Sequence, residues 1–404
     1  MLAEFCHFFF RSFPIVAVQV VLAIISISGL VQGAVPGLNP EKSWDVSGYV
    51  TYRTMVSYPE NNAHSLDHIL HQRLNAEYRL HPNCRLNAGL RNRLIFGDTA
   101  KNSRYRSWIN EDYGYFDWSS NWLEEKGWVG NSQVDRFNFT WNQKNWQVKG
   151  GRQRINWGMA TIWNPNDLFN TYSLYEIDYA ERPGTDAVLV SYKTGYASGV
   201  EVAFSPDEDS EQNSWSGRYF FNARGWDIQL LGGKSGLDHV LGAGFSGNIK
   251  GAGFRGELSY FQPDHHYRQG NNLEQTVAAT VEAGYSFSGE RNWSVKIAWL
   301  YFGEPDDEFD TGTFLSQPLS VRTLSFSRNS YYGETGFDLS ALLRLIFSGV
   351  FYQDNSYYLS LAGQYSLADN WQLHSGMQYF GGTDNSVYGQ ETNTSIYLLL
   401  KYSF

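Results

Sequence analysis

The chain has 404 residues, 17% of them aromatic, with 39 Gly against 11 Pro, two Cys and a formal net charge of -10. The acidic balance excludes a generally basic nucleic-acid binder, and Cys6 and Cys84 are too few for a disulfide framework or a cysteine metal site. A mean hydropathy of -0.41 excludes a bundle of membrane helices, each of which needs about 20 consecutive apolar residues.

Residues 1–33 read as a secretory signal, with Arg11 near the start, an apolar run from Phe13 to Leu30, and the small residues Val31 and Gly33 before Ala34. Polar Gln19 and the small-residue exit favour cleavage over an uncleaved anchor helix. A short periplasmic segment, 34–42, comes next, and the rest of the chain, 43–404, is one repeating unit.

That unit alternates. Trp44, Val46, Val50, Tyr52 and Val56 share one face against Asp45, Ser47, Thr51, Arg53 and Ser57. Leu74, Ala76, Tyr78 and Leu80 do the same against Arg73, Asn75, Glu77 and Arg79, and Leu86, Ala88, Leu90 and Leu94 against Arg85, Asn87, Arg91 and Arg93. In chain order the pattern predicts strands near 43–58, 68–81, 84–97, 130–141, 145–156, 185–194, 199–205, 216–224 and 226–234. It continues with 238–249, 252–262, 274–288, 292–304, 327–337, 341–353, 356–367, 370–381 and 391–404. Short turns such as Pro82-Asn83, Arg224-Gly225, Lys250-Gly251 and Ala368-Asp369 alternate with long connections at 99–127, 157–183, 206–214 and 304–326.

Aromatic residues gather at strand ends, and Thr394, Ile396, Leu398, Leu400, Tyr402 and Phe404 close the chain as an alternating row. The expected fold is therefore all-β: a transmembrane up-and-down antiparallel β-barrel of eighteen strands in the bacterial outer membrane, with periplasmic turns and extracellular loops. Ser327 to Gly336 is Gly-rich and alternates poorly; losing that strand would break the parity and leave sixteen. The terminal row resembles the closing-strand signal that outer-membrane barrels present to their assembly machinery, so Phe404 is the residue expected to meet it. Outer-membrane lipid and lipopolysaccharide are the other expected partners.

A barrel of this size can hold a water-filled channel, so function should lie on its inward faces. Alternation turns Arg53, Arg73, Arg79, Arg85, Arg91, Arg93, Arg136, Lys193, Arg218, Arg255, Lys296, Arg344 and Lys401 inward, against Asp45, Glu77, Glu201, Asp227, Glu257 and Glu282. A cationic wall around water favours anions, because low-dielectric walls focus the field and guanidinium groups pair with carboxylate or phosphate. The competing role for these arginines is to pair with wall acids and stiffen the barrel. The excess acid falls in loops, at Asp207, Glu208, Asp209 and Glu211 and at Glu304, Asp306, Asp307, Glu308 and Asp310. Such loops can latch onto wall arginines as gates, or bridge to lipopolysaccharide through divalent cations.

One segment carries a family signature. Gly150-Gly151-Arg152-Gln153-Arg154-Ile155-Asn156-Trp157-Gly158, then Trp163-Asn164-Pro165-Asn166-Asp167 and Glu181-Arg182-Pro183-Gly184-Thr185-Asp186, resembles the alginate-export barrels and related porins. The resemblance implies an eighteen-strand barrel whose Arg-rich constriction passes a polyuronate, with Arg152 and Arg154 as constriction residues. In physical terms Gly150-Gly151 can host a bulge that re-aims the next side chains along the strand. Without one, Arg152 and Arg154 share the outward face of Val148, which is costly at mid-bilayer, so a bulge or a rim position is required. The motif can equally serve to lead the strand into its loop.

His64, His68 and His71 lie near Asp67 and Ser65, and His265-His266 beside Asp264, but residues three apart on a strand face opposite ways. No nucleophile elbow, zinc-helix motif or phosphate-binding loop is present in the sequence. No enzyme, catalytic residue, metal or cofactor is therefore expected. The expected function is a porin-like channel for anionic solutes, extending to export of an acidic polysaccharide, lined by Arg73, Arg79, Arg85, Arg91, Arg93, Arg136, Arg152, Arg154, Arg255 and Arg344. The alternative is a loop-plugged, non-conducting barrel with a surface-binding or structural role.

Overall fold

The computed structural model describes residues 43–112, 114–170, 184–265, 267–268, 271–272, 274–305 and 321–404. The signal 1–33, the segment 34–42, the acids at 306–310, the motif residues Glu181, Arg182 and Pro183, and His266 lie outside the described residues.

Period-two alternation with one apolar face produces antiparallel strands here, because each strand turns one row into the barrel and offers the other to lipid. Numbered around the wall, the first nine are β1 Trp44–Pro59, β2 Ser65–His81, β3 Cys84–Gly97, β4 Trp128–Gln143, β5 Trp146–Gln153, β6 Thr185–Gly195, β7 Ser198–Ser205, β8 Ser214–Ala223 and β9 Trp226–Ser235. The rest are β10 Asp238–Ile249, β11 Ala252–Pro263, β12 Thr276–Ser286, β13 Ser294–Phe302, β14 Asn329–Ser340, β15 Leu343–Tyr352, β16 Tyr357–Ala368, β17 Trp371–Gly381 and β18 Asn393–Ser403. They belong to a nineteen-stranded sheet whose extra member, Ser119–Glu125, pairs only with β4. The other eighteen run antiparallel to their neighbours, and β18 pairs with β1 from Tyr49↔Ser403 to Pro59↔Asn393, so the barrel closes without a free edge.

Every expected strand is present, including the Gly-rich one, which forms β14. Two boundaries differ in a way that matters. The expected strand 145–156 stops at Gln153, where the chain leaves the wall, and the connection 98–127 contains an α-helix, α1 Ser103–Asn110, as well as the extra strand.

Outward positions are apolar and open, as at Leu230, Leu241, Ile297 and Phe347. Trp44, Trp146, Trp226 and Trp371 each begin a strand at the short-turn rim, and Trp146 and Trp371 pack on Tyr192 and Tyr402 at 4.6 and 4.8 Å. Amphipathic rings at that level suit a membrane interface.

Side chains of four loops enter the barrel and form its core with inward wall residues. Ile155, Trp157 and Leu168 pack on Ala203, Leu231, Val240, Phe261 and Phe302. Trp163, Phe326 and Tyr388 pack on Leu300, Tyr332, Val350 and Phe380, while Ala100 and Ile109 cover Ile69, Ile95 and Val129.

Candidate functional site: an anchored loop facing a basic wall

The inward segment 154–170 is held mainly by acids of the far wall. Glu257 on β11, 4% exposed, accepts hydrogen bonds from the backbone N–H groups of Met159, Ala160 (2.6 Å) and Asn166 (2.9 Å). Glu282 on β12 accepts from the N–H of Thr161 at 2.7 Å, its hydroxyl at 2.8 Å and the N–H of Ile162 at 3.2 Å. Glu201 on β7 accepts from Trp157 Nε1 and Arg218 Nε, both at 2.8 Å, and Gln229 Nε2 donates to the Trp157 carbonyl at 2.6 Å. Backbone amides that would be orphaned inside a barrel are thereby satisfied, which permits irregular chain there. In the sequence Glu201, Glu257 and Glu282 read only as wall charges; their use as loop anchors depends on distant residues meeting.

Opposite this loop lies a cavity of about 640 Å³ against β1 to β5. Arg73, Arg79, Arg85, Arg136 and Lys149 line it, with Asp45 and Glu77 as its acids and Asn75, Asn87, Asn138, Asn142 and Gln147 among its amides. The register sets these groups in rows. Arg79, Arg85, Thr140 and Lys149 are successive cross-strand partners on β2, β3, β4 and β5, and Glu77, Asn87 and Asn138 form the adjacent row. Arg79 Nε and Arg85 Nη1 approach Glu77 at 2.9 and 3.8 Å.

A β-bulge shapes this wall. Gly89 pairs with Arg136 and Leu90 with Val134, so Asp135 is the additional residue on β4. Before it Asn131 and Gln133 belong to the inward row; after it Arg136, Asn138 and Thr140 do. Asp135 itself is buried and takes Arg73 Nη1 at 2.5 Å, neutralising a guanidinium that is 0% exposed. Sequence alternation places Arg136 inward without this bulge, and it misses Lys149 although the outward pair Trp146 and Val148 puts Lys149 in the opposite row.

The ten arginines singled out from sequence do not form one site. Arg73, Arg79, Arg85 and Arg136 share the cavity. Arg91 donates to Gln133 at 2.5 Å, and Arg93 binds Asn131 at 2.8 Å and the Ile109 carbonyl at 3.0 Å, tying the end of α1 to the wall. Arg255 pairs with Glu282 at 2.9 Å and Arg344 with Asp338 at 2.8 Å, on other parts of the barrel. Arg154 is half-buried just past β5, between buried Gln153 and Ile155.

Arg152 requires a correction: it does not line the cavity. The register runs unbroken through Gly150 and Gly151, so no bulge turns it inward, and its partners Phe137 and Asp186 share the outward row with exposed Val188. The charge is tolerated because it lies near the long-loop rim under Asp112 and residues 114–118. Its guanidinium holds Asp186 through Nε at 3.0 Å and Nη2 at 2.7 Å, Asp112 through Nη1 at 2.5 Å, and the Phe116 carbonyl at 2.6 Å. Burial alone would raise the Asp112 carboxyl, but Arg152 and the N–H groups of Gly114 and Trp118 outweigh it and hold the group below the usual aspartate range. Gly114 is required because a Cβ there would stand 1.9 Å from Arg152 Nη2.

His68 and His71 fall on opposite faces as expected: His71 is buried inward, and His68 meets the Tyr52 hydroxyl at 2.8 Å. Among the described residues no group of three His, Cys, Asp or Glu side chains is arranged to hold a metal ion.

A closed eighteen-strand barrel with an apolar outer belt, a tryptophan-marked rim and a lumen narrowed by an anchored loop defines the class: a transmembrane β-barrel of the bacterial outer membrane. Solved structures of the same fold include Pseudomonas aeruginosa OccK5 (OpdH), with a TM-score of 0.56 at 9% identity over 89% of this chain and 98% of that one. Pseudomonas aeruginosa OpdK, solved with vanillate, gives 0.54 at 10% over 89% and 98%, and Acinetobacter baumannii OccAB1 gives 0.54 at 12% over 89% and 97%. No protein-family model matches the sequence, and comparison with curated proteins gives no match.

Proposed function

We propose that the barrel is an outer-membrane channel biased toward small anionic solutes, with Arg79, Arg85, Arg136 and Lys149 as its principal solute-facing cations. The observation that carries this is the division of the lumen. Glu201, Glu257 and Glu282 are engaged in anchoring 154–170 and in pairing with Arg218 and Arg255, whereas the cavity wall opposite carries, among the described residues, five bases and two acids. Clustered charge beside low-dielectric walls raises the local concentration of counter-ions. That OpdK was solved with vanillate, a carboxylate, supports the same solute charge. The channel is taken to lie among outer-membrane lipid and lipopolysaccharide and to reach its place through the assembly machinery acting on β18 and Phe404.

Reversal potentials in a planar bilayer under a salt gradient test the proposal. Wild type should select anions, and joint replacement of Arg79, Arg85 and Lys149 by Gln should abolish the preference. A protein that inserts and never conducts would favour the plugged barrel. Export of an acidic polysaccharide is the second reading, favoured by the observation that the motif resembling the alginate-export barrels leads directly into the inward loop. Current block by a polyuronate, absent with its monomer, would select it.

A further inference from the structure

The cavity's charges fix the sign of the solute, and its neutral groups narrow the chemistry further. Among the described residues that line it none is aromatic, and the only apolar ones are Ala76 and Ala88. The space between the cations is instead occupied by carboxamides: Asn75, Asn87, Asn138, Asn142 and Gln147, with the Thr140 hydroxyl among them. These amides are oriented by the wall. Asn87 Nδ2 donates to Asn138 Oδ1 at 3.3 Å, Asn138 Nδ2 to the Arg152 carbonyl at 3.0 Å, and Gln147 Nε2 to Asn142 Oδ1 at 2.7 Å. A carboxamide offers two donor hydrogens and an acceptor oxygen. Asn138, 3% exposed, spends its groups on the Arg152 carbonyl and on Asn87 and so serves to orient Asn87, which is more open and keeps hydrogen-bonding capacity beyond that bond.

We infer that the solute is a hydroxyl-rich carboxylate of the sugar-acid type rather than an aromatic acid, and that the Asn87–Asn138 rung, in which Asn138 positions and Asn87 meets the solute, is the element that discriminates between them. The inference rests on the anion-channel proposal and adds the neutral half of the recognition. A hydroxyl can replace water at both the donor and the acceptor of an amide, so a polyhydroxylated chain crosses the rungs with its hydrogen bonds exchanged. An aromatic ring displaces the same waters, leaves the amides unpaired, and finds neither an apolar surface nor a ring to stack on. Sites built to hydrogen-bond a solute hydroxyl reject analogues that lack it more strongly than apolar pockets reject added hydroxyls.

The experiment compares gluconate with benzoate, both monovalent carboxylates, as the permeant anion in bilayers holding the full-length channel. Permeabilities are taken relative to chloride and corrected for free-solution mobility. In wild type gluconate should exceed benzoate by about fivefold, the equivalent of one net hydrogen bond. In Asn87→Leu and Asn138→Leu the ratio should fall toward one while chloride-over-potassium selectivity is unchanged, which also reports that the variants are inserted and folded. Equal permeabilities, or benzoate ahead, in the wild type would overturn the inference while leaving anion selectivity standing. A wild-type ratio that survives both substitutions would remove the rung from it. A wild-type channel with no chloride preference would instead bring down the underlying proposal.

Discussion

Replacing Glu257 by Gln changes one buried carboxylate oxygen into an amide NH₂ group at the point where the inward loop is anchored. One oxygen takes the N–H groups of Met159 and Ala160, the other that of Asn166. Glutamine keeps a single acceptor, so one of the two sides must face an NH₂ donor, and the bonds that survive are no longer charge-assisted. Losing a hydrogen bond to a charged group costs roughly 1.5–3 kcal/mol, and weakening two others about 1 kcal/mol more. Removing a buried charge recovers part of this, which leaves about 2–3 kcal/mol against the anchored loop. At about 1.4 kcal/mol per decade, the population with the loop released rises roughly 30- to 150-fold. Single-channel recording reads this as frequent transitions to a larger conductance, because 154–170 narrows the lumen. Glu257→Ala should give more of the same. Traces from both variants indistinguishable from wild type in conductance and transition rate would refute the anchoring role.

The other expectations concern the remaining parts of the site. Arg79, Arg85 and Lys149 replaced together by Gln leave the cavity with two bases and two acids, and reversal-potential measurements should lose anion preference without loss of insertion. Gly151 has φ +108 and a Cβ there would stand 2.3 Å from the Phe137 carbonyl oxygen, so Gly151→Ala should cost about 1–3 kcal/mol or more and lower the temperature at which the barrel unfolds on a heated gel. Arg152→Ala leaves Asp112 and Asp186 buried without their cation, and a loss of roughly 3–5 kcal/mol should be seen in the same assay. The Asp112 carboxyl is depressed in the folded state, so its contribution is fully present above the ordinary aspartate value near ~3.9 and disappears as pH falls through its lower folded value. Amide exchange at Gly114 and Trp118 should therefore stay slow near pH ~4 in the wild type and be fast at that pH in Asp112→Asn.

Period-two alternation is enough to find all eighteen strands, since an outward row meeting lipid leaves a mark on every second residue that does not depend on which strands pair. It also places Arg73, Arg79 and Arg85 correctly on one wall. It fails where the backbone departs from regular strand or where a loop covers the wall. Asp135 is the additional residue of a bulge, a local insertion with no compositional mark in β4. Arg152 sits in an outward row that alternation alone assigns to lipid, and a cover from Asp112 and residues 114–118, some 40 positions away in the case of Asp112, makes it acceptable there. The resemblance that casts Arg152 as a constriction residue points to a segment that matters, but the lumen is narrowed by the chain beyond it, from Ile155 onward.

The sequence by itself determined the barrel, because it is a sum of local, periodic choices: apolar outward, polar inward. Only the tertiary structure decided how that inner charge is divided. Glu201, Glu257 and Glu282 count as wall acids in any tally of residues, yet they meet Trp157, Met159, Ala160, Thr161 and Asn166 only once the chain has closed and the loop has turned inside. Buried backbone amides must find acceptors, and the acids of that wall supply them, which leaves Arg79, Arg85, Arg136, Lys149 and Asn87 to line the cavity on the other wall.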